Sequence, residues 1–240
     1  MENEIITSVK KYESDHFLMS AFAPKENQNA LIALFYLHYE LSKIPTTVTE
    51  PMMASIRYQW WWDYVTSFYD KPQVSHHPSA PFVKELTSKI DVKRLQDFIE
   101  SHEKACEEKD YFQIYYALFS ILADLENVKL DSVLVQVFYI TKSLVCLPVD
   151  IKQGRFIFED LNPEDDNFIE NIKTKYEQAM ELVEQVSFEK KTYLSLYVDL
   201  LKAYLKELKK ANYHPFDTRL QKRPNFIELK LFLKSLMKLF

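Results

Sequence analysis

A single glycine, Gly154, serves a chain of 240 residues. Phosphate-cradling loops, dinucleotide-binding turns and tight hairpins all need backbone at positive φ, which glycine supplies at least cost. A chain this poor in glycine is steered away from nucleotide-binding α/β folds and from sheets built on hairpins. The apolar residues agree, recurring at helical spacing almost throughout, with no sustained period-two alternation. The fold class expected is all-α.

The proline and cap signals then divide the chain into helices. Residues 28 to 44 contain Ala30 to Leu37, eight apolar residues in succession, which on a helix means burial on every side. Pro45 with Thr46, Thr47 and Thr49 ends that helix, and Glu50-Pro51 opens the next with proline in the first turn. Further helices are expected near 82 to 90, 92 to 108 and 110 to 127. A second nearly uncharged helix spans 131 to 147, kinking or ending at Pro148, with Gly154 closing the turn beyond it. Asn162-Pro163 reads as N-cap and first helical position of a helix to about 186. Helices from about 188 to 210 and from Phe226 to Phe240 follow, separated by a loop over 211 to 225. Two wholly apolar helices ringed by amphipathic ones describe one large helical bundle, residues 1 to 240, with a central cavity.

Composition excludes other classes. Apolar residues at 47% and charged residues at 27% fit a globular core. A net charge of −5 and a pI near 5.8 leave no basic stripe for nucleic acid. Cys106 and Cys146 lack metal or redox spacing and read as structural thiols of a reducing compartment. The N-terminus carries no signal or transit pattern, and no apolar run approaches the ~20 residues of a membrane span. A cytoplasmic protein is expected, peripheral on the inner face of a membrane or in the mitochondrial matrix if eukaryotic.

The most distinctive stretch is residues 50 to 63, which hold all three tryptophans beside Arg57, Gln59 and Asp63 on one helix. Consecutive helical positions are about 100° apart, so the tryptophans cannot share a direction, and one should be more exposed than the others. With Asp15 to Pro24 and Leu147 to Leu161, this stretch resembles the squalene/phytoene synthase family. Within that family it resembles the branch carrying an EP...IR.QWW.D signature, related to mitochondrial complex I assembly factors.

The resemblance implies a diphosphate site in which Mg²⁺ is held by acidic pairs on two facing helices. The first pair should lie near Ser42 to Thr46, where no residue is acidic. Lys43 puts a cation there, and Glu40 is the nearest carboxylate. The second should run from Cys146 to Asp150. Here Asp150, Gly154 and Arg155 are kept while the leading acid has become Cys146. Bulky residues over Ile114 to Leu122 replace a small-residue region and would fill part of a substrate channel.

Three readings stay open. The first is a non-catalytic family member acting in assembly or maturation of a membrane respiratory complex, without a cofactor. The second is an active prenyltransferase on isoprenoid diphosphates, with Asp150 on Mg²⁺ and Lys152 and Arg155 on the diphosphate. The third is a polyprenyl- or quinone-binding protein. In each, Tyr36, Glu40, Arg57, Gln59, Trp60, Trp61, Asp63, Tyr139 and Lys142 are candidate cavity residues. Simpler roles compete: Arg57 with Asp63, and Asp150 with Arg155, as structural ion pairs; Glu103 and Glu107 as a solvated face; and His76-His77 without metal. The last helix aligns Lys230, Lys234 and Lys238 along one side. It either lies in a membrane interface with these lysines at headgroup depth or docks on the bundle with them in water.

Overall fold

A computed structural model describes residues 2–48, 50–70, 77–153, 158 and 160–237, with side chains from residue 4 onward. Among the described residues every regular element is helical, as expected. The backbone contacts gather into two compact units, residues 1–128 and 129–240.

In the first unit, α1 (Glu2–Tyr12) and α2 (Ser14–Ser20) precede the expected helices and pack on α3 (Lys25–Thr47). The apolar run in α3 is buried along nearly its whole length, from Ala30 and Leu31 through Leu34, Phe35 and Leu37 to Leu41 and Ile44. Around α3 lie α4 (Pro51–Asp70), α5 (Ala80–Thr87) and α6 (Val92–Glu108), with α7 (Phe112–Leu125) against α6. Asn27 ties the unit together by donating from Nδ2 to the Leu125 carbonyl at 2.9 Å. Asp91 caps α6 by accepting from the Lys93 amide.

Pro45 does not end α3, which continues to Thr47. Proline at 45 removes the amide that would bond the Leu41 carbonyl, normally at a cost of about 3 kcal/mol. Tyr58 on α4 supplies a substitute. Its buried hydroxyl donates to the Leu41 carbonyl at 3.4 Å.

The second unit is built on α8 (Ser132–Lys152), packed against α9 (Phe168–Gln185) and α10 (Leu194–Lys210), with a 3-10 turn at Thr218–Gln221 and α11 (Ile227–Leu236) laid on α10. Its core joins Ile140, Leu144 and Leu147 of α8 to Ile172, Tyr176 and Ala179 of α9 and Leu205 and Leu208 of α10. Here too the helix runs past its proline. Pro148 lies inside α8, and burial of Leu147 and Asp150 on either side holds the last turn in place. Asn162 caps a turn, accepting from the Glu164 amide, and α9 starts only at Phe168. Likewise α10 starts at Leu194 rather than 188, because Thr192 to Ser195 form a local turn first.

By length and composition α8 could cross a membrane, with a mean hydropathy of 1.6 over its best window, but 56% of that window is buried within the protein. Lys142 interrupts its apolar run. Scarce glycine leaves a mark on the backbone. Lys109, Asn127, Asn212, Tyr213 and Phe226 all adopt positive φ near 50 to 60°. Asparagine tolerates this region, whereas Lys109, Tyr213 and Phe226 carry a Cβ into it at a cost of about 1–2 kcal/mol each. The turn assigned to Gly154 lies outside the described residues.

Candidate functional site

The end of α3 and the start of α4 enclose a shallow cleft of about 360 Å³, lined by Glu40, Lys43, Ile44, Thr47, Arg57, Trp60 and Trp61. Helical spacing brings these groups together. Glu40, Lys43, Ile44 and Thr47 recur at three- and four-residue intervals on α3, as do Arg57, Trp60 and Trp61 on α4.

The electrostatics are already settled internally. Lys43 Nζ lies 3.1 and 3.2 Å from the two carboxylate oxygens of Glu40 and 4.9 Å from the centre of the Tyr39 ring. Arg57 donates from Nη1 to Thr47 Oγ1 at 3.1 Å. The Tyr36 phenol, half-buried, is pushed well above its ordinary range, chiefly by burial and then by the neighbouring Glu40 carboxylate.

The tryptophan segment divides as the helical phase requires. Trp61 is buried, Trp62 is half-buried and Trp60 is exposed. Trp60 stacks on Tyr64, with centroids 4.9 Å apart and planes 12° apart, and meets Trp61 edge-on at 5.0 Å. Gln59 Nε2 donates to Asp63 Oδ1 at 2.9 Å on the exposed side of α4. Arg57 and Asp63 therefore find Thr47 and Gln59 respectively, and the ion pair expected between them is replaced by these bonds.

Mg²⁺ needs several hard oxygen donors converging on one point. The cleft offers one carboxylate, and an ammonium already occupies both its oxygens. Among the described residues no group of three or more His, Cys, Asp or Glu could hold a metal ion. The residues at the first acidic position do not fit the ion.

The remaining candidates lie on α8. Tyr139, Lys142, Cys146 and Asp150 share one face at three-, four- and four-residue steps. Tyr139 packs near Phe158 at 5.4 Å, and Lys142 Nζ sits 5.2 Å from the Tyr204 ring centre on α10. Asp150 is buried in the last turn and Lys152 is exposed. Arg155 lies outside the described residues, and with it the proposed pairing to Asp150.

Other expectations resolve in the same frame. Glu107 is exposed and Glu103 half-buried, as a solvated face requires. His77 bonds Ser79 through Nδ1 at 2.7 Å, while His76 lies outside the described residues. Cys106 is exposed rather than a buried structural thiol, and Cys146 is partly buried. Partial burial, followed by Glu107 and Glu103, raises the Cys106 pKa, which disfavours a reactive thiolate. The bulky residues Ile114, Leu118, Phe119, Ile121 and Leu122 are buried in the first unit.

One polar cluster was not anticipated. His38 of α3 and His102 of α6 are both buried, with Nδ1 of the first 3.0 Å from Nε2 of the second. The His16 ring stacks on Phe35 at 4.7 Å and meets His38 edge-on at 6.2 Å. Burial lowers His38 to about 4, and burial together with the His38 charge lowers His102 well below the usual range. A neutral pair follows, one nitrogen donating to the other's lone pair, which leaves neither of these two nitrogens free for a metal. The only sequence signal was a histidine directly after the apolar run of α3.

Comparison with known proteins places the first unit. Residues 9–117, just under half of the chain, match the family model described as squalene/phytoene synthase. Comparisons with curated proteins and with solved structures gave no match. The matched stretch contains α2 to α6 and the first part of α7, hence the whole cleft between α3 and α4 and both histidines of the buried pair. Over residues 9–117, somewhat less than half of its length, the chain is similar to the squalene/phytoene synthase family.

Proposed function

We propose that this protein keeps the helical scaffold of its family without the metal-assisted diphosphate chemistry, and that it acts in assembly or maturation of a membrane respiratory complex, NADH dehydrogenase (complex I). The observation that carries the non-catalytic reading is the Glu40–Lys43 ion pair at the position where an acidic pair would hold Mg²⁺. An ammonium in that place repels the divalent ion and consumes the nearest carboxylate. The buried large side chains of α7 support the same reading, since they occupy a region that is small in the family pattern.

The assembly role draws on the EP...IR.QWW.D segment and its likeness to the branch related to complex I assembly factors. In this reading the protein needs no cofactor, takes respiratory-complex subunits as partners and works on the inner face of the membrane. Calorimetric titration with a non-hydrolysable farnesyl diphosphate analogue tests the first half: no Mg²⁺-dependent binding is expected. Mg²⁺-dependent binding lost in Asp150→Asn would overturn this reading in favour of an active prenyltransferase, to be tested by product assays, and Mg²⁺-independent binding would favour a prenyl-lipid carrier. For the second half, a deletion strain should lose NADH dehydrogenase activity in its membranes, and unchanged activity would refute the role.

A further inference from the structure

The last helix docks on α10, one of the two arrangements its sequence offered, and two of its lysines form ion pairs there. Lys230 and Lys234, two members of the lysine line, converge on one carboxylate of α10. Lys234 Nζ lies 2.5 Å and Lys230 Nζ 3.4 Å from Oδ1 of Asp199, itself a largely buried residue. Ile227 and Leu231 anchor the helix in the core. With those faces committed inward, the apolar side chains left over point out.

Phe226, Leu229, Phe232, Leu233, Leu236 and Met237 are all exposed, Phe226 at 83% and Met237 at 68%. At 100° per residue the five from Leu229 to Met237 fall within an arc of about 140°, one continuous stripe down α11, with Phe226 exposed at its N-terminal end. The helical positions within that arc carry no hydrogen-bonding side chain. Glu228 and Ser235 border it on one side and Lys230 on the other. Phe226 holds its exposed ring from a backbone at φ 59°, a conformation no packing contact of the ring would reward. A contiguous apolar stripe of this kind marks an interaction surface.

We infer that this stripe is a membrane-docking face, with α11 lying in the interface of an anionic lipid bilayer and its six apolar side chains among the acyl chains. Charge chooses the occupant. Over residues 222–238 the sequence has five cations, Lys222, Arg223, Lys230, Lys234 and Lys238, against one acid, in a chain whose net charge is −5. Counting Asp199 on the acidic side still leaves a clear cationic excess, complementary to anionic headgroups. A second copy of the chain would set two cationic rims against each other. A protein partner would ordinarily meet hydrogen-bonding or Trp, Tyr and Arg anchors, which the stripe lacks. Ten residues of helix span about 15 Å, half a bilayer's hydrocarbon core, so α11 lies in the plane rather than crossing. The inference does not depend on whether the chain is catalytic.

Flotation of the full chain with vesicles tests it. Binding is expected to vesicles of phosphatidylglycerol with phosphatidylethanolamine, weaker by roughly tenfold for phosphatidylcholine alone, and weakened by added salt. The double variant Phe232→Glu, Leu236→Glu changes only exposed positions and should lower binding by at least about tenfold with an unchanged melting temperature. Lys222→Glu should weaken binding to the anionic vesicles alone. Failure of the wild-type chain to float, or undiminished binding of the double variant, would overturn the assignment. So would light scattering that showed a dimer converted to a monomer by the same double variant, since the face would then belong to a second copy.

Discussion

The Tyr58 hydroxyl donates to the Leu41 carbonyl, the acceptor that Pro45 leaves without its helical amide. One buried phenol on α4 thereby sustains the last turn of α3, the turn that carries Thr47 into the cleft. Tyr58→Phe should destabilise the protein by about 1 kcal/mol by orphaning that carbonyl. In a Pro45→Ala background the restored amide takes over, and the same substitution should cost close to nothing. A double-mutant cycle from denaturant unfolding measures the coupling, and additive effects would show that the two residues are not linked.

The buried pair of His38 and His102 should make the first unit acid-sensitive. In the unfolded chain both imidazoles take up protons near the ordinary value of about 6.5. In the folded protein His38 does so only near 4 and His102 well below its usual value. Between these limits the unfolded state binds more protons, so stability falls as pH drops from about 6.5 toward 4. The slope approaches about 1.4 kcal/mol per pH unit for each histidine. Urea midpoints at pH 7 and pH 5 read this directly, and His102→Gln should remove about half of the difference between them.

Asp131 performs two tasks with its two oxygens. Oδ1 accepts from the Val133 amide at the head of α8, and Oδ2 accepts from the Ser187 amide in the segment between α9 and α10, each at 2.9 Å. Asp131→Ala should cost about 1–2 kcal/mol, the upper part of the usual N-cap range. Asp131→Asn, which keeps acceptor geometry for one bond, should recover part of that loss in thermal melts.

Thr141, in the middle of α8, is fully buried, and its hydroxyl has no hydrogen-bond partner. Burying an unsatisfied hydroxyl costs about 1–3 kcal/mol. Thr141→Val keeps the shape and removes the polar atom, so it should raise the denaturation midpoint by the equivalent of about 1 kcal/mol. A loss of stability would show that the hydroxyl has work to do in another state of the protein.

The two central helices and the division of the tryptophans were legible because each follows from helical phase alone. Eight apolar residues in a row on α3 have no solvent side to offer, and Trp60, Trp61 and Trp62 had to diverge. Pro45 misled, since a proline predicts an end from the bond it removes. Whether a helix survives depends on what replaces that bond, and Tyr58 is 13 residues away in sequence. The metal misfit was readable in part: missing acids are visible in a sequence, whereas the closure of Lys43 on Glu40 is a geometric fact. The histidine pair was not readable, because His38 and His102 are 64 residues apart and neither belongs to a motif.

The carboxylate of Asp199, holding two lysines one helical turn apart, keys α11 to α10 like a peg between two teeth. A roll of the helix by a single residue, about 100°, would turn the lysines outward and fold most of the phenylalanine and leucine row under. The azimuth of the last helix, and with it the greasy or charged character of that side of the molecule, is thus decided by an acid that is itself hidden from solvent.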